Sequence, residues 1–345
     1  MHKPLILIIL FLAWLPSAAF AGVHEMAAAG DVDGLASALA KSPKLVKAKD
    51  KNGDGPLHMA ASTGMMSTAL LLVEKGADVN AADNSNETPL HKAVKEVRSG
   101  MAAYLLASGA KVDATDMNTR APLHYAAETG DVELVKLLLD NRAYVNAAEY
   151  RGRTPLHLAA RGGKADMCML LIEAGAKVNA ADSPDTRCKP GGVEQGGSTP
   201  LHLAALGGYW PVVRLLLDAG ADPDALTRLK HTALHMAAIG GNLEAIKYLI
   251  EKGCDVKARD NNSMTPLHWA AFKLHAAAAA ALIGVGADVN ALDKDGHTPL
   301  DWAEMTGENQ VSELVKASGG VRGIVLRPEP PTRKAAEKKS APAKK

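Results

Sequence analysis

Twelve histidines, three cysteines and one acidic turn are the residues here whose types invite a chemical reading. His58, His91, His124, His157, His202, His235 and His268 share one local setting, the end of a Pro-Leu-His or Ala-Leu-His triplet, and His24 sits in a related one. A tetrahedral metal site needs its ligands to converge. Histidines recurring at a fixed interval form a ladder instead, so they read as structural. His231, His275 and His297 stand outside the triplets and apart from each other. Asp50-Lys51-Asn52-Gly53-Asp54-Gly55 opens like a calcium loop, but the twelfth position is Ala61 where the loop requires a bidentate Glu. Gly162-Gly163-Lys164 lacks the frame of a phosphate loop, and no Ser/His/Asp set stands apart from the recurring pattern. No residue nominates itself as catalytic, metal-binding or cofactor-binding, and the chain reads as a non-enzyme.

Cys168, Cys188 and Cys254 are odd in number, and one disulfide among them has three arrangements. Cys168 lies in an apolar helical stretch and Cys254 replaces a small residue after a helix, so both read as buried small hydrophobes. Cys188, in a loop, is the candidate reactive thiol.

The frame around these residues is repetitive. The 345 residues carry a net charge of +1, 47% hydrophobic and only 4% aromatic residues, and 31 glycines. A core of Ala, Leu, Val and Met follows, and binding of nucleic acid by bulk charge is excluded. A tetrapeptide ending Pro-Leu-His, or a near variant, begins at Gly55, Thr88, Ala121, Thr154, Thr199, Thr232, Thr265 and Thr298. Six of its intervals are 33 residues and one is 45. Such regularity marks a stacked array.

Thr154-Pro155-Leu156-His157-Leu158-Ala159-Ala160, then Leu170-Leu171, Gly175-Ala176 and Val178-Asn179, resembles an ankyrin repeat, and the resemblance runs over about residues 23 to 320. It implies an all-α repeat solenoid of paired antiparallel helices with β-hairpin or finger loops, about nine units including degenerate caps. In the family the motif histidine bonds to neighbouring turn and backbone groups.

The residue choices have independent reasons. Thr154 is a good N-cap, and Pro155 suits the first helical position, where its missing N–H costs nothing. Leu134, Val135 and Leu138 make the buried stripe of a second helix. Gly76, Gly109, Gly175, Gly220, Gly253, Gly286 and Gly319 follow the second helices, where a left-handed residue ends them. Val97 and Leu274 take a turn position that is glycine in other units, and Arg142 takes a helix-ending one, at a cost of roughly 1 kcal/mol if the left-handed conformation is kept.

The expected organisation is a leader over 1–21, an array over 22–320 and a basic tail over 321–345. Within the array, 22–54 is the N-terminal cap, 55–297 holds seven repeats with an insertion at 183–198, and 298–320 is the C-terminal cap. The N-terminal cap is expected to have a short second helix around Leu35–Leu39, broken by Pro43. In the C-terminal cap Asp301 replaces histidine, and the last helix is expected to expose Glu308, Gln310, Ser312, Glu313 and Lys316. The tail has eight Lys/Arg against two Glu, a net of +6, which suits disorder or contact with an acidic surface.

His2 and Lys3, an apolar run Leu5–Leu15 and Ala19-Phe20-Ala21 have the layout of a secretory signal cleaved after Ala21. The run is too short for a bilayer span. Export to a periplasm or the exterior is the expectation. Asn86-Glu87-Thr88 and Asn261-Asn262-Ser263 would accept glycans at finger tips on a eukaryotic route, which favours a bacterial envelope.

In ankyrin arrays ligands contact finger tips and the concave face of the first helices. The residue seven places after each motif start is Ser62, Lys95, Glu128, Arg161, Leu206, Ile239, Phe272 and Met305, polar in the first half and apolar in the second. Leu206, Ile239, Phe272 and Met305 would align as an exposed strip flanked by Trp269 and Trp302. Tyr150, Arg151 and Arg153, with Arg120 and Arg161, form a basic cluster suited to an acidic partner. The expected function is an exported, monomeric scaffold holding another protein, with no cofactor. The alternatives are an effector acting on another cell, or an exported enzyme or metal-dependent protein using the 183–198 loop.

Overall fold

In the computed structural model, which describes residues 22–183, 196–305, 307 and 309–323, the proline of each motif that carries one, and Ala233 in the motif that does not, sits in the first turn of a helix. Thr154 is extended (φ −89°, ψ 167°) and Pro155 starts the helix behind it. The predicted leader, the insertion residues 184–195 with Cys188, and the tail beyond 323 lie outside the described residues.

Contacts divide the chain into two compact units, Met1–Met117 and Asn118–Lys345. The first holds α1 (Val23–Ala29), α2 (Val32–Lys41), α3 (Pro56–Thr63), α4 (Met66–Glu74), α5 (Pro89–Lys95) and α6 (Ser99–Ala107). The second holds α7 (Pro122–Thr129), α8 (Val132–Asp140), α9 (Pro155–Arg161), α10 (Ala165–Glu173), α11 (Pro200–Leu206) and α12 (Trp210–Asp218). It continues with α13 (Ala233–Gly240), α14 (Leu243–Glu251), α15 (Pro266–Phe272), α16 (Ala276–Gly284), α17 (Pro299–Glu304) and α18 (Gln310–Ala317). These are nine helix pairs, the number expected.

Each first helix packs on the second helix that follows it. Inside the second unit first helices also stack on first helices, from α7 to α17, and second on second, from α8 to α18. Leu134, Val135 and Leu138 are fully buried. Burial of such a side chain is worth roughly 1.5–3 kcal/mol, whereas ordering each residue's backbone costs roughly 1–2 kcal/mol. Three such residues cannot order a 33-residue repeat alone, so adjoining repeats supply the rest of the core.

Helix ends follow the glycine rows. Gly76, Gly109, Gly175, Gly220, Gly253, Gly286 and Gly319 have φ between 85° and 92°. Where the row is broken the backbone keeps the conformation: Val97, Arg142 and Leu274 have φ of 53°, 65° and 60°.

Four expectations need correction. The fingers contain no strand among the described residues; each is a turn closed by few backbone bonds, such as Asp50 N–H to Asp54 O at 3.0 Å. Helix α2 is not short: Asp31 caps its start by accepting from Gly34 N–H at 2.9 Å, and Pro43 lies beyond its end, opening a 3-10 turn, Pro43–Lys47. Ser312 is buried, because its hydroxyl accepts Asn309 N–H at 2.9 Å and so caps α18. Val321 and Gly323, placed by composition in the tail, are tied to the last pair: Val321 O accepts from Thr298 Oγ1 at 2.8 Å and Gly323 N–H donates to Asp301 at 2.8 Å.

Candidate partner-binding surface

The motif histidines set the frame. Thr154 N–H donates to His157 Nδ1 at 3.1 Å, and His157 Nε2 faces Ser198 O at 3.1 Å. A backbone N–H only donates and a carbonyl only accepts, so the ring is the neutral tautomer with its proton on Nε2. The arrangement recurs at His124 with Arg153 O, His202 with His231 O, His235 with Met264 O and His268 with His297 O. Burial pushes His124, His157, His202 and His235 down to about 4. These rings fix one repeat's first helix to the next finger.

An acid row, missed from the sequence, closes the fingers from inside. Asp50, Asp83, Asp116, Glu149, Asp182, Asp260 and Asp293 recur in register, with Thr227 in one place. Asp50 Oδ1 accepts from Asn52 N–H at 2.8 Å and Asp54 N–H at 2.9 Å, so the calcium-like sequence is a finger turn. Asp260 and Asp293 do the same, and their second oxygens accept the indole N–H groups of Trp269 and Trp302, both at 2.9 Å. Burial opposes their charge, but hydrogen bonds, from His231 and then Trp269 to Asp260 and from His297 N–H and then Trp302 to Asp293, hold both carboxyls below the ordinary range. The spacing of the acids was the available signal.

The two locked indoles carry the surface. Phe272 lies between them, 6.0 Å from Trp269 and 5.2 Å from Trp302 by ring centroids, edge-on to each. Phe272 is 38% exposed and Met305 66%. The other half of the expected strip does not open: Ile239 is buried and Leu206 half-buried. Gly240 is the reason, since a β-carbon there would overlap the Leu206 carbonyl and its absence lets α13 close on α11. His275 then covers the end of α13, bonding Ile239 O at 3.1 Å.

The basic cluster is gathered around a depression of about 250 Å³ lined by Arg120, Glu128, Glu149, Tyr150, Arg151, Arg153 and Arg161. It is less available than the sequence implied. Arg153 is 3% exposed and pairs with Asp182 at 3.3 Å, so it serves the interior. Arg120 pairs with Glu128 and lies 4.2 Å over the Tyr125 ring. Arg161 reaches Glu128 at 3.1 Å and keeps a 41% exposed side chain, while Arg151 stands 5.7 Å over the 41% exposed Tyr150. Burial raises the Glu149 carboxyl above its usual range, against the pull of Arg120 and Arg153.

Cys168 and Cys254 are buried, and burial pushes both thiols up to about 12. Among the described residues no three His, Cys, Asp or Glu side chains are grouped to hold a metal ion. No helix among them is long and apolar enough to cross a membrane.

A family model described as ankyrin repeats (3 copies) matches residues 23–116, 113–182, 185–260, 201–293 and 255–322. The chain belongs to the ankyrin-repeat family. No curated protein matches it. Ankyrin repeats generally mediate protein–protein interaction and are typically non-enzymatic. In this ankyrin array the motif histidines and the acid row are bound into the scaffold, while Phe272, Met305, Tyr150 and Arg161 are among the exposed side chains of the first helices and fingers.

Proposed function

We propose that this chain is an exported, non-enzymatic binding module that holds another protein on the first-helix face around Phe272. The supporting observation is a half-exposed phenylalanine held edge-on between two tryptophans whose N–H groups are already satisfied. An aromatic surface that needs no rearrangement and no further polar partner loses little entropy on binding, which is how interface anchors behave. Tyr150, Arg151 and Arg161 add a polar rim for an acidic region of the same partner. Export rests on the leader-like first 21 residues, with a bacterial envelope as the compartment.

The test compares the wild-type chain with Phe272→Glu, using a partner recovered from the native host and calorimetry for affinity. The variant should bind about 2 kcal/mol more weakly with an unchanged thermal midpoint. Equal affinities would overturn the assignment. N-terminal sequencing of the envelope fraction should find Gly22 first.

A further inference from the structure

In both units an asparagine carboxamide from one finger base clasps the next. Asn80 Nδ2 donates to Gly109 O at 3.1 Å while Asn80 Oδ1 accepts Lys111 N–H at 2.8 Å. Asn146 repeats this with Gly175 O and Lys177 N–H, Asn179 with Gly220 O and Asp222 N–H, and Asn290 with Gly319 O and Val321 N–H. Gly–x–residue backbone after a second helix is thus a receptor for a primary carboxamide, supplying one acceptor and one donor in fixed register.

At the first joint the receptor is built but its carboxamide is missing. The residue one period before Asn80 is Lys47, and the groups it should clasp are Gly76 O and Asp78 N–H. An ammonium has donors and no acceptor, so Lys47 cannot receive Asp78 N–H. Two further changes leave room. The 3-10 turn Pro43–Lys47 has no counterpart among the other described joints, and Gly55 offers no side chain where Thr88 and Thr154 stand later. Asp113, Asp224 and Lys257 also replace the asparagine, but without that turn. Beside these groups lies a cavity of about 410 Å³ walled by Val46, Leu57, Ala77 and Ala81, with Asp78 and Lys47 in its lining and Gly76 one residue beyond it. A volume of this size suits a small ligand or one side chain with its neighbours.

We propose that this cavity binds a primary carboxamide carried on a small apolar body, with the amide taking the place of the absent asparagine side chain between Gly76 O and Asp78 N–H. The site lies in the first unit and does not depend on the Phe272 surface.

Amide nitrogen NMR on the full chain tests it, with N-acetylasparagine, an asparagine-containing blocked tetrapeptide and N-acetylaspartate as probes. The asparagine probes should shift the Asp78 signal, the aspartate probe binding at least about tenfold more weakly because it cannot donate to Gly76 O. A stronger response to the tetrapeptide than to N-acetylasparagine makes a protein side chain the natural ligand; the reverse makes it a small amide. Lys47→Asn should move the Asp78 signal without ligand and abolish the response, and Gly55→Thr, which fills the wall, should abolish it while leaving Asp78 in place. Equal binding of the aspartate probe would mean that the lysines hold an anion, and would overturn the proposal. So would a full response in Lys47→Asn or Gly55→Thr.

Discussion

His157 Nε2 meets Ser198 O at 3.1 Å across 41 residues, whereas His235 meets Met264 O at the same distance across 29. The extra length leaves the base of this finger unchanged. Asp182 and Ser198 exchange two bonds, Asp182 N–H to Ser198 O at 2.9 Å and Ser198 N–H to Asp182 Oδ1 at 2.7 Å, as Glu149 and Arg153 do in part with three residues between them. Ser183 and Gly196 occupy positions that are adjacent in a 33-residue repeat.

Deleting residues 184–195 should therefore stabilise the array by about 1 kcal/mol, because closing a shorter loop costs less entropy. Urea unfolding of the deletion measures it. A loss of stability would show that the inserted residues pack against the repeats.

Acid should weaken the fold earlier than its carboxylates alone would. The ladder histidines are neutral when folded, with values near 4, against about 6.5 when unfolded. Between those limits the unfolded chain binds more protons, so stability is full above pH 6.5 and drains as pH falls through 4. Unfolding midpoints at pH 7, 5.5 and 4.5 should fall in that order, and His157→Gln should flatten the slope. A flat profile would contradict the neutral ladder.

Val97, Arg142 and Leu274 hold positive φ without being glycine. A left-handed conformation costs an L-residue roughly 1–2 kcal/mol, and glycine returns part of this as unfolded-state entropy. Each substitution to glycine should stabilise by about 1 kcal/mol, with β-branched Val97→Gly gaining most. Thermal midpoints decide it, and a decrease would mean that the half-exposed side chains pack usefully.

The two arginines should separate cleanly. Arg153→Leu removes the buried cation from the Asp182 carboxylate and should cost about 3 kcal/mol or more. Arg161→Ala removes an exposed pair with Glu128 and should cost under about 1 kcal/mol while weakening an acidic partner. Paired denaturation and binding measurements distinguish the roles.

The period, the proline-capped helices, the histidine row and the glycine row were all legible in the sequence, because each depends on residues within one repeat. Burial across repeats was not. Ile239 and Phe272 hold the same position, yet Ile239 is covered because Gly240 lets α13 approach α11, and Phe272 stays half-exposed with Lys273 at the equivalent place. Arg153 read as a surface charge until Asp182, 29 residues on, proved to lie against it. The acid row was visible at its spacing, but each acid taken singly has the setting of an ordinary turn residue.

Asp224 and Lys257 leave two successive joints of the second unit without a carboxamide tie, since a carboxylate cannot give a hydrogen and an ammonium cannot take one. Those joints bracket the repeat that carries Ile239, and the second of them adjoins the repeat that carries Phe272. Fewer ties there leave bending and twisting compliance beside the aromatic patch, between segments fastened at Asn146, Asn179 and Asn290.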